Sequence, residues 1–291
     1  MAVTARVNPQ KRNILIQRLS RAPWWVLIAA LLITLFFISV AEDPVYQRMI
    51  VVVGEGVWTT IWVTVVGYTL AVIMGLILAL LKRSKNVVVY QLTTLYIEVV
   101  RGVPTLVLVY YFALAIVPEL VNLANALGES MVASGTLPGL GEYLAGFQTR
   151  WVSNAARAIA GLAISYSAFL SEIFRAGIES IERGQRDAAA SLGMTRWQTM
   201  RHVVLPQALR NVLPPLGNDF IAMLKESSLV SVVGVEDITR QGATLAQATF
   251  TFFPGYTTIA ITYLILTLSL SLGVKIMESW LNRGRQHVLI A

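Results

Sequence analysis

Opposite charges inside apolar sequence are the residues of this chain most able to contact a small solute. Three pairs join an acidic with a basic side chain, at adjacent positions or at a three-residue spacing that shares a helix face. The pairs are Glu98 with Arg101, Glu172 with Arg175, and Lys225 with Glu226. Charges among apolar helices usually face a bundle interior or a cavity. Such pairs can bind the carboxylate and the ammonium group of a zwitterion.

A second interpretation is that each pair neutralises itself and fixes how helices pack. For Glu172 and Arg175, which come close to the end of an apolar run, we favour this local pairing. The other four residues are the candidates for a solute path, with local pairing equally open. Neutralising each charge in turn, at normal expression, separates the two interpretations.

Patterns for catalysis and for metal binding are missing from the sequence. The chain has no cysteine, so it has no disulfide, thiolate ligand or thiol nucleophile. His202 and His287 have no second ligand at metal-binding spacing, and no catalytic serine–histidine arrangement occurs in the apolar runs. The motif Gly-x-x-x-x-Gly-Lys-Ser/Thr is also missing. We therefore expect no catalytic residue, no metal, no directly bound cofactor and no ATP hydrolysis by this chain.

The composition excludes several classes of protein. Hydrophobic residues make up 56% of the chain and charged residues 13%, against about 25% charged residues in ordinary soluble domains. These values exclude disorder, a secreted disulfide scaffold and most soluble enzymes. The net charge of +7 suggests nucleic acid or an acidic membrane surface. Because the cations are divided among four short segments between apolar runs, we reject a nucleic-acid partner.

Long uncharged runs predict an all-α membrane protein with about six transmembrane helices. The predicted spans are residues 24–41, 57–81, 88–117, 155–178, 207–235 and 256–280. The fifth is the most polar, because prolines and charged residues interrupt it, so it must be irregular or face protein. The segment 118–150 is predicted to be a long outer loop, with an amphipathic stretch at 119–131 on the membrane surface.

The lysine and arginine positions predict the orientation. The basic segments are the N-terminal tail, residues 82–85, residues 183–210 and the C-terminal tail. An even number of spans places all four on one side, which the positive-inside rule makes cytoplasmic. The opposite segments are acidic, including Glu236 and Asp237, and are compatible with docking of an outer partner. We interpret the first span as an uncleaved anchor, because it is long for a signal peptide, which is the alternative.

The polar segment at residues 179–205 is patterned as two short helices on the cytoplasmic side. Its first part is rich in alanine, which favours helix, and Gly193 suits a helix C-terminus. Thr195 with Gln198 fits a capping box that begins a second helix, and we expect this helix to end at Leu205–Pro206. The smooth alanine face permits close approach by another protein. An amphipathic hairpin resting on lipid is the alternative.

The same segment resembles the EAA loop of ABC-transporter permease subunits. That pattern is Glu-Ala-Ala, three residues, Gly, nine residues, Ile, any residue, Leu-Pro. Its positions are occupied here by Asp187, Ala188, Ala189, Gly193, Val203, Leu205 and Pro206. The departures, aspartate for glutamate and valine for isoleucine, are conservative. Flanks such as Arg101-Gly102-Val103-Pro104 and Lys225-Glu226-Ser227-Ser228-Leu229 are similar to the polar amino-acid uptake branch, the histidine/glutamine permease type.

The resemblance, which covers about residues 55–280, implies an ABC importer type I permease-like fold. In that family the EAA loop forms a coupling helix that docks onto a cytoplasmic ATPase. The coupling residues implied here are Asp187, Ala188, Ala189, Gly193, Leu205 and Pro206. The implied partners are an ABC ATPase dimer with ATP and Mg, a second permease subunit, identical or paralogous, and an extracytoplasmic amino-acid-binding protein. The implied location is the bacterial cytoplasmic (inner) membrane, with both termini cytoplasmic.

The resemblance also divides the chain. Residues 1–56 are expected to form a basic tail, an additional helix and an outer linker. Residues 57–281 are expected to form the permease core, with the coupling loop at about 183–206, and residues 282–291 a cytoplasmic tail. The first interpretation is thus a permease subunit that moves polar amino acids into the cytoplasm. The alternative is a structural or enzymatic membrane protein without ABC-coupled transport.

Overall fold

The computed structural model describes residues 24–286, and this part of the chain is helical without a β-strand. The first helices are α1 (Trp24–Glu42), α2 (Pro44–Leu81), α3 (Val87–Gly102), α4 (Thr105–Tyr111), α5 (Val117–Ser134) and α6 (Pro138–Ala145). They are followed by α7 (Asn154–Glu179), α8 (Arg183–Ser191), α9 (Arg196–Thr199), α10 (Leu205–Glu226), α11 (Ile238–Thr249) and α12 (Phe252–Gln286). Predictions for the N-terminal tail, His287 and the last residues lie outside the described residues.

Short irregular helical turns join several of these helices. One π-helical turn, Phe112–Ile116, joins α4 to α5, and another, Met200–Val204, joins α9 to α10. Segments of 3₁₀ helix cover Thr149–Trp151 before α7 and Ser227–Val233 after α10. The chain therefore continues as helix through several points where the α-helical hydrogen-bond pattern changes.

Five helical stretches between residues 24 and 286 are long and apolar enough to cross a membrane. They are Trp24–Glu42, Pro44–Leu81, Thr105–Ser134, Asn154–Glu179 and Phe252–Leu281. The predicted spans 24–41, 57–81, 155–178 and 256–280 are confirmed as apolar helices. The predicted fifth span is not among the five. It is formed by α10 and the 3₁₀ segment after it, where two internal prolines and several charges occur.

The predicted third span, 88–117, is wrong as a single span. The chain is broken between α3 and α4, where Val103 has the extended backbone (φ −99°, ψ 132°) that a following proline favours. Pro104 caps α4 without a side-chain hydrogen bond. The Thr105 hydroxyl lies 3.2 Å from that of Ser165, in the middle of α7. The apolar stretch therefore begins at the break, halfway along the bundle, and runs on to Ser134.

The segment predicted to be an outer loop, 118–150, is largely helical. The stretch 119–131 lies within α5, which ends at Gly135 in the left-handed conformation (φ 68°). Helix α6 then packs back against α5 at two glycines. A Cβ atom on Gly128 would lie 2.3 Å from the Ala145 nitrogen, and one on Gly141 would lie 3.0 Å from the Val132 nitrogen. The two backbones are close enough to make this region a helical hairpin.

The crossing of α2 and α7 forms the centre of the molecule. The buried apolar residues of this core include Val63 and Ala71 from α2 and Leu162 and Leu170 from α7. Helix α2 approaches α7 closely at Gly75, where an added Cβ would lie 2.9 Å from the Leu170 Cβ. Small residues permit such an approach between membrane helices, so this crossing gives the bundle a tightly packed centre.

Contacts between helix ends place two of the four basic segments, residues 82–85 and 183–210, at one end of the molecule. Lys82, just after α2, forms a 2.6 Å ion pair with Glu172 near the end of α7. Arg83 lines a cavity together with Arg186 of α8 and Arg196 of α9. The turn at 82–85 and the polar segment before α10 are therefore neighbours, as the predicted common side requires.

Asp237, which was predicted to belong to an acidic docking segment, is instead buried near the opposite end. Its Oδ1 accepts a hydrogen bond from the Arg240 N–H at 2.8 Å, and its Oδ2 accepts one from the Tyr263 hydroxyl at 3.1 Å. Burial raises the pKa of Asp237, and these hydrogen bonds oppose that rise. The adjacent Ile238 N–H donates to the Thr60 hydroxyl at 3.2 Å. This group joins α2, α11 and α12 and does not face a partner.

Candidate functional site

The polar segment between α7 and α10 is a helix–turn–helix hairpin, and Gly193 forms its turn. Gly193 has a φ of 78°, a left-handed conformation that glycine adopts without strain. Its N–H donates to the Ala190 carbonyl at 2.9 Å, and the Met194 N–H donates to the Ala189 carbonyl at 3.1 Å. These two bonds form the Schellman motif that ends a helix. The predicted helix C-terminus at Gly193 is confirmed.

The capping box predicted at Thr195 is present. The Thr195 N–H donates to the Gln198 side-chain carbonyl at 2.8 Å, and the Gln198 N–H donates to the Thr195 hydroxyl at 3.3 Å. The prediction that this second helix ends at Leu205–Pro206 is wrong. In the π-helical turn the Leu205 N–H donates to the Met200 carbonyl, so the hydrogen-bond pattern has already shifted where Pro206 lacks its N–H. The helix continues directly into α10.

The hairpin is anchored to both helices that flank it. Ile181, Val204 and Ala208 are buried in a small apolar core beneath it. A terminal nitrogen of Arg186 donates to the Ile178 carbonyl of α7 at 2.8 Å. Close to this core, the Asn211 amide donates to the Ser180 hydroxyl at 2.9 Å. These contacts connect the hairpin to the end of α7 and the beginning of α10.

The outer surface of the hairpin combines small and large apolar side chains with charge. Ala189 packs inward and is buried. The other residues implied by the family pattern are exposed, namely Asp187, Ala188, Gly193, Leu205 and Pro206. Leu192 is 82% exposed and Trp197 is 69% exposed. Exposed apolar side chains beside a rim of charge are typical of surfaces that contact another protein or a membrane.

Glu172 and Arg175 form a local ion-pair network. Glu172 lies 2.6 Å from the Lys82 Nζ and 2.8 Å from the Arg175 Nε, and Arg175 also reaches Glu179 at 2.5 Å. This network joins the turn after α2 to the last turns of α7. The local-pairing interpretation of these two residues is therefore the one that the geometry supports.

Glu98 and Arg101, in contrast, do not pair with each other. Of the ion pairs formed among the described side chains, residues 24–281, none includes either residue. Both side chains are exposed on the surface of this chain. The Arg101 guanidinium lies 5.6 Å from the centre of the Phe169 ring, close enough for a cation–π contact. Arg101 thus lies beside the middle of α7, next to the helix break at Pro104.

Glu226 lies at the end of α10, and one of its carboxylate oxygens is buried without a hydrogen-bond partner. Tyr166 of α7 lies near Glu226 and Asp219. Lys225 is exposed and does not pair with Glu226 in the described structure. Of the adjacent charges at 225 and 226, only the glutamate therefore belongs to the interior polar group.

Two aromatic residues of α7 lie between the charges on α3 and α10. The rings of Tyr166 and Phe169 are 6.4 Å apart, so Arg101 and Glu226 contact neighbouring positions of one helix. The sequence interpretation missed Tyr166 and also Tyr68, whose hydroxyl donates to a backbone carbonyl of α10 at 2.6 Å. The sequence feature that could have identified both is a tyrosine within an otherwise apolar span, because a buried hydroxyl needs a polar partner.

A cavity of about 600 Å³ lies between α7 and α10 on the side of the hairpin. Its lining includes Ala176 and Ser180 from α7, and Arg210, Asn211 and Pro214 from α10. In residues 24–286, no group of three or more histidine, cysteine, aspartate or glutamate side chains could hold a metal. The prediction that the chain binds no cofactor directly stays a prediction.

The family comparison agrees with this arrangement. Residues 67–286 match the model of the family described as the binding-protein-dependent transport system inner membrane component. Because this match covers most of the chain, the protein belongs to that family of ABC-importer permeases. The family match includes the hairpin and both helices that anchor it.

Individual relatives lead to the same class. The chain is 36% identical over 227 residues to the probable amino-acid permease protein YxeN of Bacillus subtilis (strain 168), covering 77% of this chain and 88% of that one. It is 32% identical over 230 residues to the probable glutamine ABC transporter permease protein GlnM of the same organism, covering 79% and 93%. A solved structure, described as an amino acid ABC transporter with histidines, superposes with a TM-score of 0.63 at 34% identity, covering 84% and 97%. The fold is that of an ABC importer type I permease.

Proposed function

We propose that this chain is the membrane-spanning subunit through which an ATP-driven importer moves polar amino acids into the cytoplasm. The observation that most supports this is the hairpin, which has the EAA spacing, a glycine turn and contacts to both α7 and α10. It presents Asp187 and Ala188 to solvent, where a cytoplasmic ATPase can bind them. Two relatives named for amino acids and glutamine support the solute class.

The contacts of the hairpin suggest how movement of the ATPase reaches the helices of this chain. A bound ATPase that moves the hairpin also moves α10, because the helix from α9 continues into it through the π-helical turn. It moves α7 as well, because Arg186 is bonded to the Ile178 carbonyl of that helix. Tyr166 of α7 and Glu226 of α10 would then move with the hairpin. Rigid-body movement of this kind is a common way to switch between two states.

The proposed assembly follows from the family. Two permease subunits, identical or paralogous, would bind a cytoplasmic ATPase dimer that holds ATP and Mg, and an extracytoplasmic protein would deliver the amino acid. The basic segments at the hairpin end of the molecule support a cytoplasmic location for that end under the positive-inside rule. Both termini would then lie in the cytoplasm, and the spans would cross the bacterial inner membrane.

For the solute path we propose the region around Tyr166 and Phe169. Arg101 carries a positive charge close to the Phe169 ring, and Glu226 carries a negative charge close to Tyr166. These charges are suited to the carboxylate and the ammonium of an amino acid. Glu98 and Lys225, which are exposed and unpaired in the described residues, are proposed to lie farther along the same path.

A substitution at the hairpin turn tests the coupling role. In Gly193→Val, a β-branched residue must adopt a φ of 78°, which is strained whatever space surrounds it. We expect uptake into vesicles by the assembled transporter to fall at least about ten-fold, which corresponds to about 1.4 kcal/mol. ATP hydrolysis should no longer respond to the loaded binding protein.

Gly184→Val is the matched control, because Gly184 lies in α8, just before the turn, with no atom within 4 Å of an added Cβ and no positive φ. This variant should keep most of the uptake. If Gly193→Val assembles with its ATPase and transports at the normal rate, the hairpin is not the coupling element and the proposal fails.

A further inference from the structure

The hairpin end of the molecule contains a cavity that transport does not explain. It measures about 360 Å³ and lies between the turn after α2 and the hairpin. Three arginines line it: Arg83 from that turn, Arg186 from α8 and Arg196 from α9. The remaining lining side chains carry no charge. Three guanidinium groups thus surround one cavity without a carboxylate among the lining residues.

These arginines also lack an acidic partner elsewhere in the described structure. The ion pairs among the side chains of residues 24–281 involve Lys82 and Arg175 but none of the three. Arg186 donates from a terminal nitrogen to a backbone carbonyl, while its Nε is buried without a hydrogen-bond partner. Like charges in a concave site repel one another, and a bound anion removes that repulsion. The cavity therefore has the donors and the charge of an anion site.

The position of the cavity indicates which anion reaches it. Arg83 lies two residues after the end of α2, whose last residue, Leu81, is exposed. Val87 and Val88, which begin α3, are 69% and 64% exposed. Because α2 is one of the helices long and apolar enough to cross a membrane, its end lies at the membrane surface, and the exposed valines that begin α3 follow directly after it. The cavity then lies at the depth of the lipid headgroups, where basic pockets between helices bind anionic lipids.

We propose that this cavity binds the phosphate of an anionic phospholipid, such as phosphatidylglycerol or cardiolipin. The three guanidinium groups donate hydrogen bonds to the phosphate oxygens, a geometry for which arginine is well suited. The acyl chains lie along the exposed apolar residues beside the turn. The bound lipid joins the end of α2 to the hairpin, so that the lipid composition of the membrane affects the element proposed to contact the ATPase. Lipid binding itself does not depend on the proposed transport function.

The test measures lipid binding to the purified full-length chain by native mass spectrometry, in micelles that contain phosphatidylglycerol or phosphatidylcholine. The double variant Arg83→Gln, Arg196→Gln removes two charges of the cavity and leaves the Arg186 anchor in place. We expect its affinity for phosphatidylglycerol to be weaker by on the order of ten-fold or more. Phosphatidylcholine should bind all forms weakly.

The matched control is the double variant Lys85→Gln, Arg201→Gln, which removes two exposed charges near the same end but outside the cavity lining. It should bind phosphatidylglycerol within about two-fold of the original chain, because it keeps all three arginines of the cavity. Both double variants remove two positive charges, so any loss of general surface attraction is the same in each. Equal affinities in all three forms would overturn the proposal.

Two further measurements identify whether the bound anion is a lipid, a soluble phosphate or a protein carboxylate. Glycerol phosphate, which has the headgroup without acyl chains, should compete only weakly; competition as tight as that of the lipid would overturn the lipid assignment in favour of a soluble phosphate. Binding of the ATPase to the same variants is measured in parallel. If Arg83→Gln, Arg196→Gln weakens ATPase binding while leaving phosphatidylglycerol binding unchanged, the cavity receives a protein carboxylate and the proposal is wrong.

Discussion

Glu226 has surroundings unlike those of an ordinary surface charge. One of its oxygens is buried and has no hydrogen-bond donor within the described structure. Nearby, Tyr166 and Asp219 contribute oxygen atoms, and the neighbouring Lys225 points elsewhere as an exposed side chain. A buried carboxylate oxygen without a donor costs free energy unless a cation or a donor from outside the chain approaches it.

The substitution Glu226→Gln keeps the shape of the side chain and removes its charge. If Glu226 contacts the ammonium group of the solute, the KM for uptake should rise by roughly ten- to a hundred-fold, the value of a charged hydrogen bond. Uptake kinetics of the assembled transporter, at normal expression, measure this. Glu119→Gln, at an exposed position on α5, serves as the control and should leave the KM unchanged.

An unchanged KM for Glu226→Gln, together with a lower melting temperature, would instead assign this residue to helix packing.

Glu226 could be named as a candidate from the sequence, because a charge among apolar residues is visible in the sequence itself. Sequence reasoning could not find Tyr68 or Tyr166, because their importance depends on which helices lie opposite them. It did find Gly193 and Thr195, whose roles depend only on residues within the same turn.

At the scale of helices, the effects of the prolines were predicted only in part, because they depend on local sequence and also on distant contacts. The sequence predicted one span over 88–117, whereas the helix breaks at Pro104 and the long apolar stretch begins after it and runs to Ser134. At Pro206 the sequence predicted a helix end, whereas a π-helical turn lets the helix continue. The segment predicted as an outer loop is helical because Gly128 and Gly141 allow two helices to pack, a contact that composition does not reveal.

Asp237 gives a prediction at this scale, because it joins three helices through its carboxylate. Its raised pKa means that the folded chain binds the proton more tightly than the unfolded chain does. The stability it provides is therefore greatest below about pH 4, the ordinary value for aspartate, and is lost as the pH rises through the raised pKa. Melting temperatures of the purified chain across this range should show that decline.

Asp237→Asn should remove this part of the pH dependence while it keeps an oxygen that can accept from the Arg240 N–H. Asp237→Ala should lose the cap of α11 as well, at a cost of about 1 kcal/mol or more. If the pH profile of Asp237→Asn matches that of the original chain, another group is responsible for the decline.

For the molecule as a whole, the hairpin, α7 and α10 form the part that is expected to move together. The Asn211 amide and the Ser180 hydroxyl are 2.9 Å apart across the junction of these helices. Because the chain has no cysteine, the pair Ser180→Cys, Asn211→Cys introduces the only two thiols. Oxidising this pair should leave uptake within about two-fold of the reduced form, since the two positions keep their separation.

The single variants Ser180→Cys and Asn211→Cys, treated with the same oxidant, control for effects of the thiols themselves. Loss of uptake only in the oxidised double variant, restored by a reducing agent, would show that α7 and α10 must move relative to each other during transport.

The fold class, the position of the hairpin and most apolar spans followed from patterns along the sequence. The relation between α7 and α10 did not, because it is set by contacts between distant residues.

The unbroken helical path from Arg196 to Glu226 has a mechanical consequence. At 1.5 Å per residue, this rod is about 45 Å long, similar to the full thickness of a bilayer with its headgroups. One end is the turn at the hairpin and the other is the buried carboxylate. As far as this helix moves as one body it acts as a lever: a small tilt where it is pushed becomes a larger sideways displacement at its far end. The π-helical turn and the internal prolines Pro214 and Pro215 are the places where it would bend, because the α-helical hydrogen bonds change or are lost there. Their stiffness would limit how much of the movement reaches Glu226.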